Sequence, residues 1–212
     1  MAKHEHVTVL GITGGVGAGK STLLSYLEKK YGALIIECDR VGRDLQKKGM
    51  PCYQPMVDLF GRECLLGDGE IDRAKVAAQI YSDPGKKEKL EKIVLPAVKR
   101  EVSGIIEDAD RRGEKRLLVI ESAILFDDHY DLLCDEVWYI HASEDKRRER
   151  LKRSRNYPDS RIDRMFRAQK SEAFFRGHCQ VTIDNTSDIV QNTLKQLDDG
   201  IREHFPHLSE AG

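Results

Sequence analysis

The chain has 212 residues, a third of them charged, yet 35 Lys and Arg against 36 Asp and Glu leave a formal net charge of −1. That length supports one sizeable core with a lid or small insertion, not two independent domains, and the balanced charge excludes a global nucleic-acid footprint, so any basic surface is local. The longest apolar runs, near Leu117 to Ile120 and Val137 to Ile140, are too short to span a bilayer, and Met1-Ala2-Lys3-His4-Glu5-His6 lacks a signal-peptide apolar region, so the expectation is a cytoplasmic chain without nucleic-acid or membrane partners, monomeric or a small homo-oligomer.

In chain order, the apolar run Val7 to Ile12 reads as a buried strand leading straight into Gly14-Gly15-Val16-Gly17-Ala18-Gly19-Lys20-Ser21, which fits G-x-x-x-x-G-K-[ST]. Glycines let backbone N–H groups approach phosphate oxygens, a lysine at this spacing reaches the β/γ-phosphates, and a hydroxyl after it can ligate Mg²⁺. The helical pattern that follows, with Leu23, Leu24 and Leu27, supplies the strand–loop–helix context the motif requires. The candidate ATP-phosphate residues are therefore Gly15, Gly17, Ala18, Gly19, Lys20, Ser21 and Thr22, with Ser21 as the metal ligand and Lys20 as a catalytic group.

A second strand, Ala33 to Cys38, ends beside Asp39. Ligands of parallel α/β sheets bind beyond the carboxyl ends of strands, so Asp39 is a candidate to accept a proton from an acceptor hydroxyl or to bind Mg²⁺ through water. It also suits an N-cap for a helix beginning at Arg40, and the two roles are compatible. From about Val41 to Ala109 no convincing strand interrupts a polar, helix-like stretch punctuated by Gly49, Pro51, Gly61, Gly67, Gly69 and Pro84, which reads as a helical insertion over the nucleotide site. Arg116 to Ile120 is a third strand, ending in Glu121 as a Walker B strand ends in an acid; Glu121 is a candidate for metal or substrate contact. Asp127 and Asp128 follow on a loop read as solvated.

Glu136 to His141 is a fourth strand. Ser143 to Arg167 then carries ten Lys and Arg interrupted by Asn156-Tyr157-Pro158-Asp159, a basic helix–turn–helix. Most of its arginines are expected to pair with Glu144, Asp145, Glu149, Asp159 and Asp163 on a solvated face. One or two should act as a lid stabilising the charge of phosphoryl transfer, and Arg150 and Arg155, flanking the turn, are the candidates. Val181 to Asp184 is a fifth strand, and the last dozen residues, with Pro206 and the Ser209-Glu210-Ala211-Gly212 end, read as frayed. Tyr31, Tyr53, Tyr81 and Trp138 fall at apolar positions and read as core rather than base-stacking platforms. Cys38, Cys52, Cys64, Cys134 and Cys179 lack C-x-x-C spacing, so neither disulfides nor a zinc site is indicated.

Strands alternating with helices give an α/β class, a P-loop NTPase three-layer fold with a parallel five-stranded sheet, a helical acceptor-binding insertion at 41–109 and an Arg-rich lid at 143–167, all in one kinase domain spanning 1–212. No N-K-x-D guanine motif is present, and the combination suits a small-molecule kinase.

Across nearly its whole length the chain resembles the dephospho-coenzyme A kinase family. Leu10-Gly11-Ile12-Thr13-Gly14-Gly15-Val16-Gly17-Ala18-Gly19-Lys20-Ser21-Thr22 is similar to that family's opening, Asp39-Arg40-Val41-Gly42-Arg43-Asp44-Leu45 to its run after the second strand, Gly69-Glu70-Ile71-Asp72-Arg73 to its G-x-L-D-R, and Leu90-Glu91-Lys92-Ile93 to its L-E-x-I. Arg150-Leu151, Gln169 and Ile183-Asp184-Asn185 resemble its lid and last-strand signatures. The resemblance implies transfer of the ATP γ-phosphate to the ribose 3′-hydroxyl of dephospho-CoA with Mg²⁺. It implies Asp39 orienting or deprotonating that hydroxyl, an acceptor set of Asp39, Arg43, Asp72, Arg73 and Glu121, and Arg150, Arg155 and Asn185 joining the loop around ATP. The chain departs from the family at Leu95-Pro96, where His-Pro is usual, at Glu121-Ser122-Ala123-Ile124-Leu125-Phe126, and at Met165, where an arginine is common. A nucleoside or nucleoside-monophosphate kinase is the alternative that shares loop and lid.

Overall fold

The computed structural model describes residues 3–114 and 116–208. Two compact units result, one made of the chain up to Ile35 and again from Ala109, the other of Ile36–Asp108.

The first unit is built on the sheet. Strands β1 (Thr8–Thr13), β2 (Leu34–Glu37), β3 (Leu117–Glu121), β4 (Glu136–His141) and β5 (Val181–Asp184) lie in the order β2-β3-β1-β4-β5, and the β1–β3, β1–β4 and β4–β5 pairs are parallel. Every residue of β1 is buried, as a central strand covered on both faces requires. Alternation then assigns the faces. Leu10, Ile12, Val119, Trp138 and Ile140 pack with Leu23, Leu24 and Leu27 of helix α1 (Lys20–Tyr31) and with Leu197 and Ile201 of α9 (Val190–His204). On the opposite face Tyr139 stacks on Phe175 of α8 (Glu172–His178), ring centroids 4.8 Å apart. Between β4 and β5 run α6 (Glu144–Arg155) and α7 (Asp159–Arg167), joined through Asn156, whose left-handed backbone (φ 50°) closes α6.

The C-terminal end is tied down as far as it is described. Phe205 is buried and stacks on Trp138, Leu208 packs against the core, and His207 Nε2 lies 2.7 Å from Thr8 Oγ1. The expected fraying is thus corrected for 201–208, because an aromatic anchor after α9 repays its ordering; 209–212, like 1–2, lie outside the described residues.

The second unit is helical, with α2 (Cys38–Asp44), α3 (Tyr53–Phe60), α4 (Arg73–Ser82) and most of α5 (Pro84–Arg111). Outside the named strands, a single bridge between Leu65 and Ile71 pairs extended residues within it. Pro84 opens α5, where a missing N–H costs nothing, with Asp83 Oδ1 accepting from Gly85 N at 3.0 Å. Pro96 lies inside α5 and removes one ladder hydrogen bond. Among the described residues no helix is long and apolar enough to cross a membrane. Tyr81, expected in the core, is 92% exposed on α4, whereas Trp138 is fully buried; an aromatic at a helix end needs a facing element to bury it, and periodicity does not supply one.

Candidate active site

β1 ends at Thr13 and the chain turns through the glycine loop into α1. Gly19 occupies the N-cap position with φ 86° and ψ 23°, and no side chain caps the helix. Thr22 N donates to Gly19 O at 3.3 Å, and no side-chain cap closes the positive end of the helix dipole, the setting in which a helix N-terminus takes an anionic ligand. The conformation is left-handed, and a Cβ at Gly19 would lie 2.5 Å from Asn185 Nδ2, so both backbone and space require glycine. Ser21 and Thr22 are exposed on the first turn.

Lys20 is folded back across this loop. Its Nζ donates to Gly14 O at 2.8 Å and lies 3.3 Å from Glu121 Oε1, both side chains about 15% exposed. Register explains the pairing: β3 runs beside β1 with Glu121 opposite Ile12, which delivers the strand-end acid to the loop.

Asn185, just past β5, is buried; its Nδ2 donates to Ala18 O at 2.7 Å, and its Oδ1 accepts from Thr193 Oγ1 at 3.0 Å. Arg150 on α6 donates to the same Ala18 carbonyl at 3.3 Å and to Asn185 O at 2.9 Å. Lys20, Glu121, Arg150 and Asn185 are therefore assembled around one loop. Arg155 is not gathered with them: it is exposed at the end of α6, 5.9 Å from the Tyr157 ring.

The rest of the basic hairpin is largely ion-paired. Arg148 reaches Glu144, Asp159 and Asp163 at 2.7–3.2 Å, which holds its guanidinium charged well beyond its usual range, and Lys146 pairs with Glu149 and Asp188. Arg147 differs. It turns inward to Val16 O at 2.9 Å, a contact that sequence reasoning did not single out. One signal was available: Arg147 precedes Arg150 by three residues, so the two share a helix face. Asp127, on the loop after β3, is exposed and paired with Lys170 at 2.7 Å.

The remaining candidates belong to the helical unit. α2 begins at Cys38, two residues earlier than expected, so Asp39 is not an N-cap; it is an exposed acid in the first turn of α2. Asp72 caps α4, accepting from Ala74 N at 3.0 Å and Lys75 N at 3.2 Å, a structural duty that its sequence motif did not reveal. Arg43 and Arg73 are exposed and line one cavity of about 470 Å³ with Asp44, Lys47 and Glu70. Asp44 is paired with Lys47 at 2.6 Å, and Glu70 accepts from Lys48 N. With Asp44 paired to Lys47, two arginines face one carboxylate, Glu70, so the lining keeps a net positive charge.

A loop built for phosphate, a lysine held by a strand-end acid and an arginine hairpin agree with the comparison to known proteins. The family model described as dephospho-CoA kinase matches residues 8–191. The chain belongs to the dephospho-CoA kinase family. It is 30% identical over 196 residues to a dephospho-CoA kinase of Enterococcus faecalis, covering 91% of this chain and 97% of that one. It is 31% identical over 189 residues to one of Carboxydothermus hydrogenoformans, covering 89% and 90%. Among solved structures, one from Thermus thermophilus superposes with a TM-score of 0.79 at 23% identity, over 95% of this chain and 99% of that one, a likeness of fold. The family's P-loop kinase architecture is the one expected from the strand–loop–helix alternation.

Proposed function

We propose that this chain transfers the γ-phosphate of ATP to the ribose 3′-hydroxyl of dephospho-CoA, giving CoA and ADP, the last step of coenzyme A biosynthesis, in the cytoplasm. The observation that carries this reading is the extent of the family match, which takes in the helical unit Ile36–Asp108 as well as the phosphate loop and the arginine hairpin. A nucleoside or nucleoside-monophosphate kinase would account for loop and hairpin but not for that match.

Phosphoryl transfer requires positioning and charge stabilisation more than covalent chemistry. In this reading the uncapped start of α1 and Lys20 bind the β/γ-phosphates, and Glu121 keeps Lys20 oriented before the nucleotide arrives. Arg150, anchored through Ala18 O and Asn185 O, stabilises charge developing on the transferred group, with Arg155 joining from the hairpin turn. Asp39 accepts the proton of the acceptor hydroxyl, while Arg43 and Arg73 pair with the phosphates of dephospho-CoA and Asp72 keeps Arg73 at the start of α4. The donor set suits magnesium. Ser21 offers an exposed hydroxyl, no group of three or more His, Cys, Asp and Glu among the described residues could hold a metal by itself, and magnesium at such sites takes few protein oxygens and retains phosphates and water. Held by Ser21, the ion would neutralise charge on the β- and γ-oxygens.

The test is a coupled ADP-release assay with Mg-ATP, comparing dephospho-CoA with adenosine, cytidine, AMP and CMP. Turnover confined to dephospho-CoA is expected; turnover with a nucleoside or nucleotide instead, or with none of the five, would refute the assignment.

A further inference from the structure

Arg147 projects from the first half of α6 into the phosphate loop. Its Nε donates to Val16 O at 2.9 Å, a terminal nitrogen donates to Gln169 Oε1, and the guanidinium lies over the Phe166 ring, 4.2 Å from its centroid. The guanidinium also fills the space beside Gly15, where a Cβ would collide with it. One planar side chain thereby joins three separate segments: the loop at Gly15 and Val16, α6, and the end of α7 with the residues after it.

None of these hydrogen bonds goes to a carboxylate. The contrast with Arg148, one residue on and paired with three acids, is the informative one. Burial pulls the Arg147 guanidinium below its usual range, and the charge of Glu144, three residues back on α6, offsets this only in part, as expected for a desolvated cation with no carboxylate in direct contact, an arrangement that costs the fold free energy. The cost is understandable where an anion is bound nearby, because an un-neutralised charge favours phosphate and a pre-ordered loop spares the ligand the entropy of ordering it.

We propose that Arg147 is a positioning residue for the nucleotide, a latch that holds the Gly15–Val16 side of the phosphate loop to the arginine hairpin through Gln169 and Phe166. This rests on the ATP reading above. Lysine does not replace it, since a point ammonium cannot donate in two fixed directions while stacking on a ring.

The experiment is equilibrium binding of Mg-AMP-PNP to the full chain, with melting temperatures measured alongside, for Arg147→Met, Arg147→Lys, Gln169→Ala and the Arg147→Met/Gln169→Ala pair. Arg147→Met is expected to weaken binding by on the order of tenfold, Arg147→Lys to recover less than half of that loss, and the pair to bind no worse than Arg147→Met alone, since both changes open the same latch. Affinity within twofold of the parent chain in Arg147→Met, even with a lowered melting temperature, would overturn the proposal. So would full recovery by lysine, or losses that multiply in the pair. If Arg147→Met fails to fold, Gln169→Ala decides alone: a loss of about threefold or more upholds the latch, and a smaller one overturns it. A parent chain that does not bind Mg-AMP-PNP would defeat the nucleotide reading itself, and the latch with it.

Discussion

Replacing Gly19 by alanine tests whether the loop geometry is what prepares the nucleotide site. Two costs can be worked from the structure. The residue sits at φ 86° in the left-handed region, which charges an L side chain about 1–2 kcal/mol. The new Cβ would lie 2.5 Å from Asn185 Nδ2, so the amide must move and its hydrogen bond to Ala18 O is lost, about 1 kcal/mol more. The sum, about 2–3 kcal/mol, corresponds to a fall of roughly 5–10 °C in melting temperature for a chain of this size. Gly49→Ala is the matched control. Gly49 has φ +84°, but nothing lies within 4 Å of the added carbon, so only the strain should appear and the loss should be smaller by about 2–4 °C. Differential scanning fluorimetry with and without Mg-AMP-PNP reads both effects. Gly19→Ala should also lose most of the ligand-induced rise in melting temperature, whereas Gly49→Ala should keep it. Equal melting temperatures for the two variants, with the ligand-induced rise intact in both, would refute the reasoning.

Gly200→Ala places a Cβ 2.8 Å from Trp138 Cη2 in a filled core; overpacking of about 1–3 kcal/mol should lower urea stability and shift the emission of this single tryptophan, and an unchanged chain would show that α9 yields at no cost. Gly104→Ala has the opposite sign, because Gly104 lies inside α5 with nothing within 4 Å and alanine favours the helix by about 0.5–1 kcal/mol; a drop in urea midpoint would contradict it. Asp39→Asn should leave the fold intact and lower kcat by roughly 10²-fold or more if the carboxylate is the general base, whereas near-normal turnover would remove Asp39 from that role. Burial opposes the ionisation of Asp198, but hydrogen bonds from Lys30 Nζ at 3.0 Å and from the Tyr26 and Tyr31 hydroxyls at 2.8 Å hold its carboxyl below the usual range. Its stabilisation is therefore complete above the unfolded carboxylate value of about 3.9 and is lost as pH falls through the lower folded value. Melting curves of Asp198→Asn should accordingly flatten in the acid limb below about pH 4, and an unaltered limb would count against the cluster.

Local pattern carried much of this protein into view. The spacing of Gly14 to Ser21 between an apolar run and a Leu23-Leu24-Leu27 face defines a phosphate loop because backbone, lysine and hydroxyl must follow one another at those intervals. β1, β3 and β4 were legible because central parallel strands are apolar on both faces, the edge strands β2 and β5 as short runs rich in β-branched residues, and the 143–167 hairpin because its charge, turn residues and helical spacing coincide within 25 residues. What decided the rest was partnership between distant segments. Lys20 meets Glu121 through the register of β1 and β3, and Asn185 meets Ala18 because β5 ends beside the loop. Arg147, Arg148, Arg150 and Arg155 are chemically identical in the sequence. Only the packing of α6 against the loop turns the first and third inward, leaves the second among carboxylates and exposes the fourth. Periodicity gives a side chain its face, but the element opposite that face decides whether it becomes a solvated charge, as in Arg155, an exposed aromatic, as in Tyr81, or a latch on the loop.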